Sequence, residues 1–441
     1  VKKRISLALV LVLLAALSAV PVLAEDTFSI TQDVQRVTLS NGITVVLKEN
    51  PAFDIVAMVI MSDVGSVQDP FGLEGLTYLV QRNLISGTEN RTSLGIITEL
   101  ESLGTQLQTT SLQDYSSIML QCQPDNFLAS FDIVLDLLNN STFPEAEFER
   151  ERALSLAVIQ SLYDDPVNAM FLTQWELFYG DHPYRYSPYG SWEGVSAAQR
   201  EQVKDWQKYM YLPQHLTVAV VGNFNSEELL PVLEGTLGSR QGEYSGSPAP
   251  KEAMPFVYPP EDREMTINLP TGAAFLMLGY PAPDTFNPDN AVMAVINSVL
   301  GDGLSSRLLV EIRDKLGLVY EAGSYYDERL GPSNILTYAI THPDNVDLVR
   351  EKITEQLQLF ASEGLTSEEI AGVAAKLRGN HLLNNETNIS QALLLATAEM
   401  TGRGYEWIDE YLAFFDHITP EDIKRVASEY FQNYTGILIT P

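Results

Sequence analysis

The chain has 441 residues, 45% of them hydrophobic and 19% charged, which is enough apolar mass for two or more cores and too much for a disordered polymer. Asp plus Glu number 58 against 27 Lys plus Arg, a formal net charge of −31, so nucleic acid and anionic lipid surfaces would be repelled. A single cysteine, Cys122, excludes an intrachain disulfide and a cysteine-cluster metal site.

Residues 1–24 read as an export signal. Lys2, Lys3 and Arg4 precede an uncharged run over 5–20, Pro21 breaks it, and Val22-Leu23-Ala24 supplies a signal-peptidase site. The run is shorter than the ~20 residues of a spanning helix, so cleavage is expected rather than a stable membrane anchor. The expected location is periplasmic or secreted.

Residues 38–47 read as a hairpin turning at Asn41-Gly42, and 55–62 as a second strand. Over 73–85 apolar residues recur at helical spacing (Leu73, Leu76, Leu79, Val80, Leu84), with Gly87 where a helix-ending glycine belongs. Ser93 is expected to cap a short helix that stops at Gly104. Residues 106–122 alternate like one strand. Residues 126–139, 145–163 and 201–209 read as helices, and 216–222 as a closing strand. Ser, Gly and Pro then crowd 239–262, a linker signature.

Beyond the linker the pattern returns. Leu365-Thr-Ser-Glu-Glu-Ile370 echoes Phe143-Pro-Glu-Ala-Glu-Phe148, and the strand 436–440 echoes 216–221 at nearly the same offset. The expected fold class is α+β. Two similar domains, 25–238 and 263–441, each hold a mainly antiparallel sheet packed with helices.

Catalytic motifs are scarce. His182, His215, His342, His381 and His417 are widely scattered along the chain, so no i, i+4 pair places two imidazoles on one helix face. Structural roles are expected for all five. There is no phosphate-binding loop and no serine in a nucleophile-elbow context.

Several short segments nevertheless stand in a telling order. They are Asn41-Gly-Ile-Thr-Val-Val, Gly65-Ser66, Gly75-Leu-Thr-Tyr-Leu-Val-Gln-Arg with Gly87-Thr88, and Glu151-Arg152 with Asp164-Asp-Pro166. His182-Pro-Tyr, Tyr209 with Pro213 and Gly222, and Ser305-Ser-Arg-Leu with Arg313 and Gly317-Leu-Val-Tyr320 complete the set. In order and spacing the chain resembles the pitrilysin/insulinase family of zinc metallopeptidases, over nearly its whole length after residue 24. The resemblance implies a processing-peptidase-like fold.

That family carries H-x-x-E-H on the helix after the Gly-Leu step, and a glutamate further on as third zinc ligand. Here the histidine positions hold Tyr78 and Arg82, the catalytic base is replaced by Gln81, and the third ligand by Val158. One acidic neighbour, Glu151, is retained. A phenol with a pKa near ~10 is a poor ligand at pH 7, an amide cannot take a proton from water, and a guanidinium repels a dication. The family's Asn-Ala on the substrate-edge strand becomes Gln108-Thr109. No metal and no catalytic residue are therefore expected on this chain.

Two-chain members of the family imply a different role. One chain carries H-x-x-E-H and zinc, and the other contributes an arginine and a tyrosine, seven residues apart, that contact substrate near the scissile carbonyl. Arg313 and Tyr320 match that spacing. Locally, Ser305 or Ser306 should cap a helix running to about Lys315, Gly317 should end it, and Leu318 should begin a strand. Read without the family, Arg313 complements the helix dipole and Tyr320 fills a sheet face. Arg307 reads as a helix-surface residue.

The expected function is a zinc-free subunit of an exported heterodimeric peptidase. Its partner would be a homologous zinc-carrying subunit, and its substrates peptides or unfolded segments. A structural or assembly protein that reuses the fold without proteolysis is the open alternative. An autonomous peptidase with an atypical metal site is disfavoured by the histidine spacing.

Overall fold

Residues 56–62 are apolar almost without interruption, and such a run requires burial on both faces. In the computed structural model, which describes residues 29–244 and 255–441, it forms β3 (Val56–Ser62), buried throughout, inside a six-stranded sheet. The expected export signal and part of the expected linker lie outside the described residues.

The other strands of this sheet are β1 (Val34–Thr38), β2 (Thr44–Glu49), β4 (Gln106–Ser111), β5 (Ser116–Cys122) and β6 (Leu216–Gly222). Their order is β1-β2-β6-β3-β5-β4. A second, five-stranded sheet contains β7 (Arg263–Asn268), β8 (Ala274–Ala282), β9 (Val319–Asp327), β10 (Ser333–Thr341) and β11 (Thr435–Thr440), in the order β7-β11-β8-β10-β9. Pairing is antiparallel except between β2 and β6 and between β7 and β11. The α+β class and the mainly antiparallel sheets are as expected.

The turn at Asn41-Gly42 joins β1 to β2, with Gly42 at φ +94°. Residues 106–122 do not form one strand. They fold back as the β4–β5 hairpin, whose tip is closed by Leu112 N–H donating to Tyr115 C=O at 2.8 Å. The tip, Gln113-Asp114, lacks glycine and positive φ, so no local turn chemistry announced it.

Helices α1 (Leu76–Asn83), α2 (Ser93–Ser102), α3 (Phe127–Asn140), α4 (Glu145–Asp164), α5 (Pro166–Tyr179), α6 (Trp192–Ala197), α7 (Arg200–Met210) and α8 (Ser226–Thr236) accompany the first sheet in sequence. The α1 helix starts later than its apolar spacing suggests, because Gly75 enters it at φ +104°. Thr92, not Ser93, caps α2, accepting from Gly95 N–H at 3.1 Å. The second half contains α9 (Asn290–Leu300), a π-helix (Leu309–Lys315), α10 (Val346–Ser362), α11 (Ser367–Asn384), α12 (Asn388–Met400), α13 (Trp407–Phe414) and α14 (Pro420–Tyr430). The echoed segments fall at equivalent places, the starts of α4 and α11.

Each sheet packs one face on helices of its own half. The other face is covered by a helix from the other half. From α12, Ala392, Leu395 and Ala396 cover Val46, Val59, Met61, Ala219 and Val221. From α5, Ala169 and Met170 cover Met277, Leu336, Ile437 and Ile439. The two helices directly follow the echoed pair α4 and α11, so the exchange is reciprocal between equivalent elements.

Candidate functional site

The α1 helix is pinned at its start. Asp69 is buried and accepts from Gly75 N–H (2.7 Å), Thr77 N–H (2.9 Å) and the Thr77 hydroxyl (2.6 Å), a cap delivered from the loop upstream. Trp206 Nε1 donates in turn to the Thr77 hydroxyl oxygen at 2.9 Å. Gly75 and Gly190 pass so closely that a Cβ on Gly190 would lie 2.3 Å from the Gly75 Cα. The orientation of this helix is therefore over-determined.

Its next turn carries the positions where a metal-binding relative needs histidine and glutamate. Tyr78 stands edge-on to Tyr189 with ring centroids 5.0 Å apart, and burial raises its phenol above the ordinary tyrosine range. Gln81 is buried and donates from Nε2 to the Tyr211 hydroxyl at 2.9 Å, leaving its Oε1 without a partner among the described residues. Arg82 reaches α4 and binds the buried Glu151 through Nε at 3.0 Å and Nη2 at 2.6 Å. Arg150 approaches the other carboxylate oxygen of Glu151 at 3.1 Å. Val158, two turns further along α4, is half-buried and has no ligand atom.

A zinc ion does not fit these residues. The one carboxylate already has a guanidinium on each oxygen, and no imidazole is present to replace the lost ligands. Arg82 supplies from within the chain the positive charge that Glu151 requires. Among the described residues no three His, Cys, Asp or Glu side chains gather to hold a metal ion.

Three of the histidines are employed elsewhere. Through Nδ1, His182 and His342 accept from the backbone N–H groups of Tyr184 (3.2 Å) and Asp344 (3.3 Å). His215 Nδ1 lies 2.6 Å from an Asp63 carboxylate oxygen. Burial lowers His182 to about 4, with Arg329 adding a smaller push in the same direction.

Beside α1 runs β4, one of the two outermost strands of its sheet. Gln108 is exposed on it, and the Thr109 hydroxyl donates to the Gln81 carbonyl at 3.1 Å. That bond fastens the free edge to the degenerate helix.

Arg313 and Tyr320 sit in the other half. Arg313 is in the last turn of the π-helix, where π geometry replaces the expected α-helix. Ser306 stands just before the first helical residue and its carbonyl accepts from Val310 N–H at 2.9 Å, but its buried hydroxyl makes no cap bond among the described residues. Gly317, at φ +63°, closes the helix as its N–H and that of Leu318 return to Arg313 and Ile312 carbonyls. Tyr320 is the second residue of β9, an outermost strand like β4, and is 67% exposed. Its hydroxyl makes no hydrogen bond among the described residues. Among the described residues Arg313 holds only its neighbour Asp314, at 3.0 Å. No hydrogen bond or ion pair joins either residue to Tyr78, Gln81, Arg82 or Glu151. Arg307, by contrast, lies over the Phe360 ring at 4.5 Å and faces Glu369 at 3.6 Å, a structural setting.

Sequence reasoning missed the Arg82–Glu151 pair, because the long stretch of chain between the two positions hides it. The only available signal was one surviving acid beside a ligand position turned basic.

Comparison with known proteins gives a consistent result. Residues 44–185 match the family described as "Insulinase (Peptidase family M16)", and residues 197–377 match "Peptidase M16 inactive domain". An uncharacterized zinc protease of Mycobacterium leprae is 26% identical over 94% of this chain and 93% of its own. One from Bacillus subtilis is 23% identical over 92% and 98%. Among solved structures, a protease from Helicobacter pylori superposes with a TM-score of 0.86 at 20% identity, over 92% of this chain and 99% of that one. A peptidase M16 inactive domain from Pseudomonas fluorescens does so at 0.84 and 18%, over 92% and 98%. No helix of the described residues is long and apolar enough to cross a membrane. The two family matches together cover most of 44–377, the fold is shared along nearly the full length of both solved neighbours, and the chain belongs to the pitrilysin/insulinase peptidase family, M16, with an inactive-type domain over 197–377.

Proposed function

We propose that this chain is the zinc-free subunit of an exported heterodimeric peptidase, contributing Arg313 and Tyr320 to the active site of a homologous partner that carries H-x-x-E-H and zinc. The observation that carries the reading is a contrast. Arg82 occupies the only carboxylate left at the metal position, while Tyr320 stands exposed near the start of edge strand β9 and the half-buried Arg313 lies in the helix just before it. Relatives described as zinc proteases supply the kind of partner the reading needs.

The chemistry follows from charge. Hydrolysis of a peptide on the partner builds negative charge on the carbonyl oxygen. A guanidinium and a phenol held near that oxygen stabilise it more in the transition state than in the substrate. The Tyr320 hydroxyl, without a partner among the described residues, is available for that bond.

Reconstitution with the zinc-bearing homologue from the same source tests the reading. Tyr320→Phe deletes only the hydroxyl and should lower kcat by about 10²–10³-fold, the usual cost of one such donor, with assembly unchanged. Arg313→Ala should act likewise and also raise KM. Full turnover by the assembled Arg313→Ala/Tyr320→Phe complex would refute the assignment.

A further inference from the structure

The tips of the edge hairpins β4–β5 and β9–β10 meet in a buried cluster. Arg329, 4% exposed, follows the end of β9 and binds Asp327 through Nε at 3.0 Å and Nη2 at 2.6 Å. Its guanidinium lies over three rings from the first half, Tyr184 at 4.7 Å, Trp175 at 5.1 Å and Tyr179 at 5.3 Å. Asp114, at the tip of β4–β5, accepts from the Tyr184 hydroxyl and from Leu330 N–H. The Tyr179 hydroxyl donates to the Pro332 carbonyl at 3.0 Å, and the Tyr184 ring fits against Gly331, where a Cβ would approach it to 3.1 Å.

Nothing in the folding of either sheet alone requires this. A buried arginine is costly unless its charge is paired and its face covered. Here the pairing comes from its own half and the covering from the other. The β4 tip is itself tied down, with Leu112 and Gln113 carbonyls accepting from Ser66 and Val67 N–H.

We propose that this cluster is a clasp between the halves, with Arg329 and Asp114 as positioning residues that set where edge strand β4 lies relative to edge strand β9. Tyr320 lies near the far end of β9 from the clasp, a lever of about 23 Å at roughly 3.3 Å per residue. A turn of about 5° at the clasp would move it by about 2 Å, and displacements of about 1 Å already cost about 10²-fold in catalysis. That consequence rests on the function proposed above; the clasp itself does not.

Distance measurement tests the clasp directly. Spin labels at Gln108→Cys on β4 and Glu321→Cys on β9 of the full chain, with the buried Cys122 left unlabelled, should give one narrow distance distribution by pulsed dipolar spectroscopy. Arg329→Met should broaden or displace it, and Tyr184→Phe or Asp114→Asn should do so more mildly. These two variants decide the question if Arg329→Met does not fold. Leu233→Ala, a core truncation inside the first half, should lower the melting temperature and leave the distance unchanged. Folded clasp variants that keep the native distribution would overturn the proposal. A shifted distance together with a fully active Tyr320→Phe complex would keep the clasp and reject the catalytic reading.

Discussion

At residue scale, Arg82 and Glu151 join α1 to α4 by an ion pair at positions where the family resemblance would call for zinc chemistry. Arg82→Met should destabilise the chain by about 1–2 kcal/mol, less than a fully buried pair because the arginine is partly exposed. Adding Glu151→Gln should recover part of that loss in a urea titration. Tyr78, Gln81 and Arg82 were assigned to the motif from their order in the sequence. The pairing of Arg82 with Glu151 was not legible there, because an ion pair between such distant positions exists only once α1 and α4 are packed. His182 offers a pH test. Its folded-state value, about 4, lies below the ordinary histidine range, so the unfolded chain takes the proton first. Stability should fall as pH drops from about 6.5 toward about 4, by roughly 1–3 kcal/mol from this group. His182→Asn keeps a side-chain acceptor for Tyr184 N–H and removes the titration, so its melting temperature should change less across that window.

At the scale of elements, glycines define the corners that carry the site. A Cβ on Gly317 meets nothing within 4 Å, so Gly317→Ala should cost only the backbone term, about 1–2 kcal/mol. A Cβ on Gly190 would meet the Glu74 carbonyl at 2.2 Å, so Gly190→Ala should cost about 3 kcal/mol or more by forcing α1 away. Thermal unfolding of the two variants checks the order. Most elements of the first half could be read from apolar spacing. The β4–β5 turn could not, because Asp114 is held by Tyr184 and Leu330 rather than by turn chemistry of its own. The α5 helix carries a start signal, Asp165 capping at Asn168 N–H and Pro166 as its first residue, that apolar spacing alone does not register.

At the scale of the molecule, the repeat of the two halves was visible, but its exchange of helices was not. Periodicity identifies an apolar face without saying which sheet it covers. The exchange ties the halves energetically. Ala396 on α12 is fully buried against the first sheet, so Ala396→Asp places an unpaired carboxylate there and should cost about 3 kcal/mol or more. Hydrogen exchange should then accelerate in β3 and β6, which lie far away in sequence, as well as near the mutation. Protection lost only in the second half would contradict the interlocked core.

Elemental analysis of the purified protein, coupled to a peptide-hydrolysis assay, tests most directly whether the chain holds zinc of its own. The predicted result is no stoichiometric zinc and no cleavage by the chain alone, with activity appearing only when the zinc-bearing homologue is added. Near-equimolar zinc that a chelator removes together with an activity of the isolated chain would contradict it.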